Sequence, residues 1–393
     1  MSKIKLYMIT IFFGATIFCL CMNLTGAVLS DVMIDYNIDL DNAGLMTLFQ
    51  YSGGIAGVIL LSKIADKLNK TMLHIMGFAL MATTLFLISR YPSYPVFMLL
   101  YLLLGAGVCM VDVLNNAVLS DLCDENRNTM FSLIHGFCGA GAAFASILTV
   151  IVGTGNWRGA YSVVAVVICV VIATQLIAYT AGKKSIDICA VRAKKEKIDP
   201  AGAKKFFKDK KIWFAVLSLL MYGVCQGGTT VWSVKYCREM FFEKGAVCWA
   251  LSLSVYWIGT TACRLAIGFI PALKRWDIKK ILFWGNILAG VAEFAGVISG
   301  SYIGVMAGFF VLGILSGMTI PGLVSLMNGW YPELSGLASS VSFIALYIGF
   351  AVIPLVMGLV AQVAGIAIIM MIPAAGVVIS GIMGHFLLGR PGK

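Results

Sequence analysis

The stretch from Leu104 to Leu148 places an aspartate, two asparagines and a histidine inside otherwise apolar sequence. It reads as two helices joined by a polar turn. Asp112, Asn115 and Asn116 stand at i, i+3 and i+4 and so share one helix face. His135 lies on the second helix, followed by the small-residue run Gly136, Gly139, Ala140, Gly141, Ala142 and Ala143. At 1.5 Å per residue, Asp112 is roughly 12 Å and His135 roughly 9 Å from the same polar boundary. A carboxyl and an imidazole at similar depth could exchange protons or anchor a polar solute. An acid inside a hydrophobic span faces a protein interior or a watery path. Asp112 is therefore the candidate proton-coupling residue, with His135 as its modulator. The plainer readings are an interhelix hydrogen bond and a structural histidine. Asn115 and Asn116 offer amide donors and acceptors to solute hydroxyls, or cap the end of their helix.

Composition sets the medium in which these groups work. Of 393 residues 60% are hydrophobic and 12% charged, with a mean hydropathy of +0.94, as in a multi-span membrane protein. Twelve apolar segments of about 18 to 26 residues fit the pattern, long enough to cross a bilayer. They begin near Leu6, Asn42, Met72, Val96, Met130, Tyr161, Ile212, Val247, Ile281, Tyr302, Gly336 and Ile366. Lys3 and Lys5 precede the first; no small-x-small cleavage site follows it, so it reads as a span and not a leader.

With both termini placed inside, 23 of the 29 basic residues fall on the inner side. Eleven of these lie between Gly182 and Lys211. Five fall outside (Arg90, Arg158, Lys235, Arg238 and Lys244), and Arg264 lies within a span. This asymmetry is the positive-inside pattern, so the net charge of +11 is a topology signal and not a nucleic-acid footprint. The expected organisation is an N-terminal six-helix bundle (1–181), a basic cytoplasmic linker (182–211) and a C-terminal six-helix bundle (212–393). The expected place is a bacterial inner membrane, multi-pass, with both termini cytoplasmic. Weak echoes between the halves support the division: Leu104-Gly105-Ala106-Gly107 matches Leu312-Gly313-Ile314-Leu315 in position. The eleven cysteines show no metal spacing; most read as small core residues, and Cys237 with Cys248 is the one suggested disulfide. No phosphate loop is present to drive transport with ATP, and no nucleophile-base set supports an enzyme. No metal or cofactor is expected. Two bundles around a midplane site is the plan of a secondary transporter.

With this topology the chain resembles the major facilitator superfamily. Ser62-Lys63-Ile64-Ala65-Asp66-Lys67-Leu68-Asn69-Lys70 is similar to its loop motif Gly-x-x-x-Asp-Arg-x-Gly-Arg, and Arg264-Leu265-Ala266-Ile267-Gly268 to the second-half copy. The resemblance implies gating roles for Asp66, Lys67 and Arg264. Within the superfamily, four stretches resemble the fucose/glucose–proton symporter branch. They are Asp112 to Asn116; Ser132 to Ala142, set beside Asn-Leu-Leu-His-Gly-Phe-Phe-Gly-x-Gly-Ala; Asn156-Trp157-Arg158; and Pro321 with Pro354 and Gly358. The chain departs from the branch at Ser132, at Ala145-Ser146 where relatives have Gly-Pro, and in span 1, which carries no acid near Gly26.

The implied fold is an all-α membrane protein of twelve helices in two pseudo-symmetric six-helix bundles. The implied activity is proton-coupled uptake of a small neutral solute such as a sugar, by a monomer. Sugar sites stack on aromatic rings and satisfy hydroxyls with amides. Asn23, Gln50, Gln226, Trp232, Tyr256, Trp257 and Tyr347 are the further candidates, each also explicable as packing. Glu293 reads as a structural contact or as near the outer surface. An exporter of amphipathic compounds is the alternative, since Met and Phe side chains could line an adaptable cavity. A nutrient sensor on this fold is a third reading, with no signalling domain to support it.

Overall fold

The computed structural model describes residues 3–64, 69–122, 127–192, 200–270 and 277–387. Among them, twelve helices are long and apolar enough to cross a membrane. They are α1 (Lys3–Tyr36), α2 (Leu40–Ile64), α3 (Lys70–Ser89), α4 (Tyr94–Leu122), α5 (Arg127–Val152) and α6 (Trp157–Arg192) in the first half. The second half holds α7 (Lys210–Met240), α8 (Ala246–Phe269), α9 (Ile278–Ile298), α10 (Tyr302–Trp330), α11 (Ser335–Ala364) and α12 (Ile366–Phe386). Each predicted start lies within four residues of an observed one. The starts are set by polar caps. Asn69 Oδ1 accepts from the backbone N–H of Thr71 at 2.9 Å, Asp209 from Lys211 at 2.9 Å, and Ser301 from Gly304 at 3.0 Å. The stretch between the halves is partly helical: α6 runs on to Arg192, and a short helix covers Pro200–Lys208.

The two halves repeat one packing scheme. In the first, α1 packs on α5 and α6, α4 on α2 and α3, and α3 on α6. In the second, α7 packs on α11 and α12, α10 on α8 and α9, and α9 on α12. The crossing points correspond residue by residue. A Cβ on Gly105 of α4 would sit 1.6 Å from the Gln50 carbonyl oxygen of α2; one on Gly313 of α10 would sit 2.2 Å from that of Tyr256 in α8. Three residues along each helix, Gly53 faces the Leu102 carbonyl oxygen at 1.8 Å and Gly259 that of Phe310 at 2.4 Å. Glycine is required there because the backbones themselves touch. The chain is thus a multi-pass membrane protein of two six-helix bundles that share one packing pattern.

Across the bundles, α2 packs on α11, α5 on α8, and α1 on α7. Lys3 lies beside Gly182, and Phe386 stacks on Phe214. Both ends of the described chain therefore share one end of the molecule with the segment joining the halves, called here the linker end. At the opposite, far end, Tyr36, Tyr91 and Phe97 gather around Trp157, which is 1% exposed and donates to Asp35 at 2.7 Å.

Candidate functional site

Between the bundles lies a narrow, nearly closed cleft with about 10 Å³ of free space, room for about one water molecule, framed by α1, α2, α7, α8 and α11. Its walls hold no charged side chain. Asn23 of α1 spans the bundles: its amide donates to the Cys19 carbonyl at 2.9 Å, and its oxygen accepts from the Trp257 indole of α8 at 2.9 Å. The indole edge is thereby pinned, with its apolar surface left to the cleft. Thr25 donates to Gln50 Oε1 at 3.0 Å. Two polar atoms remain buried without a partner, Gln50 Nε2 from the first bundle and Gln226 Oε1 from the second. An unsatisfied buried amide is costly, so a donor and an acceptor on opposite walls point to a guest that supplies both. Tyr51 and Phe350, centroids 5.2 Å apart, make an aromatic wall.

Asp112 lies beyond that wall. Tyr347 of α11 donates to Asp112 Oδ2 at 2.5 Å, joining the bundles, and Tyr347 packs on Tyr51 at 5.8 Å. The carboxyl thus reaches the cleft through two tyrosines. Asn116 donates to the Asp112 carbonyl at 3.0 Å. Asn115 departs from the expected shared face: it is 3% exposed and pairs with His74 Nε2 of α3 at 2.9 Å. Its position, 100° round the helix from Asn116, turns it into the first bundle. His135 is not paired with Asp112; the charge acting on it is that of Arg264. Arg264 Nε donates to the Gly317 carbonyl at 3.0 Å. The cause is Pro321, four residues on, which lacks the N–H that would otherwise take that carbonyl. The helical hydrogen bonding of α10 is interrupted between Ser316 and Thr319, and Arg264 fastens α8 to that point.

The remaining candidates separate. Asn23, Gln50, Gln226 and Trp257 line the cleft. Trp232 is fully buried and donates to the Pro354 carbonyl at 3.1 Å, tying α7 to α11 within the second bundle. Tyr256 is buried behind Trp257, with ring centroids 5.5 Å apart. Glu293 is fully buried, five residues before the far end of α9 at Ile298. Asp66 and Lys67 lie outside the described residues. Cys237 and Cys248 are free thiols, so the suggested disulfide is absent: Cys237 is buried in α7 and Cys248 sits in the first turns of α8.

The far end is closed. Arg238 Nη1 of α7 meets Asp31 Oδ1 of α1 at 2.7 Å, and the guanidinium also lies over Trp249 at 5.5 Å. Nearer the cleft, a Cβ on Gly26 would sit 2.1 Å from the Thr230 carbonyl oxygen of α7. An acid at Gly26 would have no room in this conformation.

The family profile of the Major Facilitator Superfamily matches residues 11–270. The chain belongs to the major facilitator superfamily. It is similar in fold to several solved structures. With the transporter FucP in its outward conformation it shares 18% identity and a TM-score of 0.67, over 98% of each chain. With the nucleoside transporter NupG it shares 18% identity and a TM-score of 0.77, over 98% of this chain and 100% of that one. With an inward-facing, occupied bacterial homologue of the human lysosomal transporter Spinster it shares 12% identity and a TM-score of 0.74, over 97% and 96%. No curated protein matches the chain. Superfamily membership makes this protein a transporter and not an enzyme.

In this superfamily member the contacts between bundles include the Asp31–Arg238 pair, the Asn23–Trp257 bond at the cleft and the Asp112–Tyr347 bond. Ser146, at the position where the resembled branch has proline, adds a fourth. It donates to the Ala250 carbonyl of α8 at 2.8 Å. Sequence reasoning missed Asp31, Thr25, Thr47, Tyr51 and Thr230. The signal for Asp31 was available: α1 runs 34 residues, and an acid well inside its far end had to meet a partner. For the threonines no signal existed, since hydroxyls are common in packed spans.

Proposed function

We propose that the protein takes up a small neutral solute rich in hydroxyls or amides, of the monosaccharide, glycoside or nucleoside class, together with protons. The observation that carries this is the uncharged cleft with an unpartnered amide on each wall and a pinned indole between them. A cation or an anion would enter it without a counter-charge, which is costly. FucP is described as a fucose:proton symporter and NupG as a nucleoside transporter, in line with this class. The polar, narrow walls count against the exporter of amphipathic compounds.

The mechanism follows from the bonds between bundles. With the basic linker end in the cytoplasm, the far end is outside and closed here. The units 1–181 and 212–393 rock about the cleft within one chain. Asp112 as a carboxylate receives a charge-assisted bond from Tyr347; protonated, it keeps only a neutral one, about half as strong. Protonation thus loosens the tie on the linker side of the cleft, and solute on the Tyr51 wall senses the same tyrosine pair. His135 and Arg264 belong to the inner gate, and Asp66 and Lys67 keep the gating role that the motif resemblance implies.

A thermal-stability screen of the purified protein tests the solute class. Neutral sugars, nucleosides, polyols, small carboxylates and lipophilic cations are each added at two pH values. Native-state binding at 100 times Kd stabilises by about 2.7 kcal/mol. Shifts confined to neutral polyols, and abolished by Gln226→Leu, are expected. Shifts only with lipophilic cations or carboxylates overturn the reading.

A further inference from the structure

Glu293 has no place in the mechanism above, yet it is the most completely buried acid in the second bundle. It is 0% exposed, and neither carboxyl oxygen has a hydrogen-bond partner. No ion pair among the described residues reaches it. The side chain beside it is Thr229 of α7, also 0% exposed, whose hydroxyl lies against the carboxyl without closing a well-formed bond. Thr229 is not alone. Tyr222, Gln226, Thr229 and Ser233 fall at i, i+4, i+7 and i+11 of α7, on one face, and each holds a buried oxygen without a partner. Gln226 is the cleft residue. One polar face of α7 therefore leads from the solute site into the bundle and meets Glu293.

The groups facing Glu293 are few. From α7 come Thr229 and Cys225, whose thiol feels the carboxyl's charge. From α10 comes the backbone around Gly308, whose added Cβ would lie 3.3 Å from the Glu293 Cα. On α12 the residues packed on neighbouring Gly290 are Ala374, Val377 and Val378, none titratable. No described group of three or more metal-type ligands exists here, and two carboxyl oxygens with one hydroxyl make a poor shell for a metal ion. A buried carboxyl with no cation beside it and no well-formed donor bond is most stable with a proton on it. Buried oxygens in a row are where hydrogen-bonded water collects.

We propose that Glu293 and Thr229 form a second proton-binding site, joined to the solute cleft along the α7 face through Gln226. In the release step the carboxyl O–H breaks and the proton passes to water held at Thr229. The resulting carboxylate then accepts a hydrogen bond from the Thr229 hydroxyl. This goes beyond the role given to Asp112, and the test separates the two.

The test is infrared difference spectroscopy of the full-length protein in lipid nanodiscs, titrated with pH. The expected result is a carboxyl C=O band that titrates, is lost in Glu293→Gln and persists in Asp112→Asn. Thr229→Val must shift that band's frequency without removing it, which covers the case of a Glu293→Gln protein that does not fold. A wild-type spectrum identical to that of Glu293→Gln overturns the proposal. So does a band that never titrates, and so does one displaced by sodium at constant pH.

Discussion

Removing the Arg238 side chain should open the far end. Arg238 and Asp31 meet at 2.7 Å with side chains 24% and 12% exposed, between a surface pair and a buried one. Exposed pairs contribute about 0.2–1 kcal/mol, and breaking a buried pair costs about 3–5 kcal/mol. A figure of about 1–3 kcal/mol fits this geometry. Because the two residues belong to different bundles, that energy favours the closed far end, and its loss moves the open-to-closed ratio about 5- to 150-fold. In Arg238→Gln, Asp31 keeps only the Gly155 N–H, at 3.3 Å. The assay is pulsed electron spin resonance between labels at Thr154 and Glu243, both exposed and on turns of opposite bundles. Cys169, the exposed thiol among the described residues, is replaced first. Arg238→Gln and Asp31→Asn should each populate longer distances, and the charge swap Asp31→Arg with Arg238→Asp should restore most of the closed population. Unchanged distances in both single variants would refute the latch.

Three further outcomes follow from the packing. Tyr347→Phe leaves Asp112 Oδ2 without its donor, so transport should become less dependent on the proton gradient while solute-induced thermal shifts persist, a loss of about 1–3 kcal/mol in the tie between bundles. Arg264→Met should lower thermal stability by orphaning the Gly317 carbonyl, and Pro321→Ala in the same chain should return part of it by restoring an N–H four residues on; strict additivity of the two would contradict the assignment. Gly105→Ala should cost well above about 1 kcal/mol, seen as loss of folded protein, because its Cβ would lie 1.6 Å from the Gln50 carbonyl oxygen. Gly336→Ala, with open space around it, should be neutral or stabilising by up to about 1 kcal/mol in the same melt.

Hydropathy and basic-residue spacing made the fold legible, because a bilayer imposes length on every apolar span and water takes the charged stretches between. Gly105 and Gly313 even marked the internal repeat, since a backbone crossing admits no other residue. Side-chain direction was less legible. Asp112 and Asn116 stand on one helix face, but neighbouring Asn115 turns to His74, and spacing alone cannot say which neighbour waits on each side. Asn23, Gln50, Gln226 and Trp257 come from four distant spans and meet in one cleft. Trp232, of the same chemical class as Trp257, is spent on the Pro354 carbonyl inside one bundle. The Asp31–Arg238 pair joins residues 207 positions apart, and no local pattern couples them.

The most direct test of the central claim is transport by Asp112→Asn in proteoliposomes, with the solute found in the thermal screen. The variant keeps the shape of the site and the hydrogen bond to Tyr347 but cannot carry the proton. Solute exchange across the membrane should remain near the wild-type rate, while accumulation driven by an inward proton gradient should vanish. Undiminished accumulation by Asp112→Asn would contradict the account and move the proton elsewhere in the bundles.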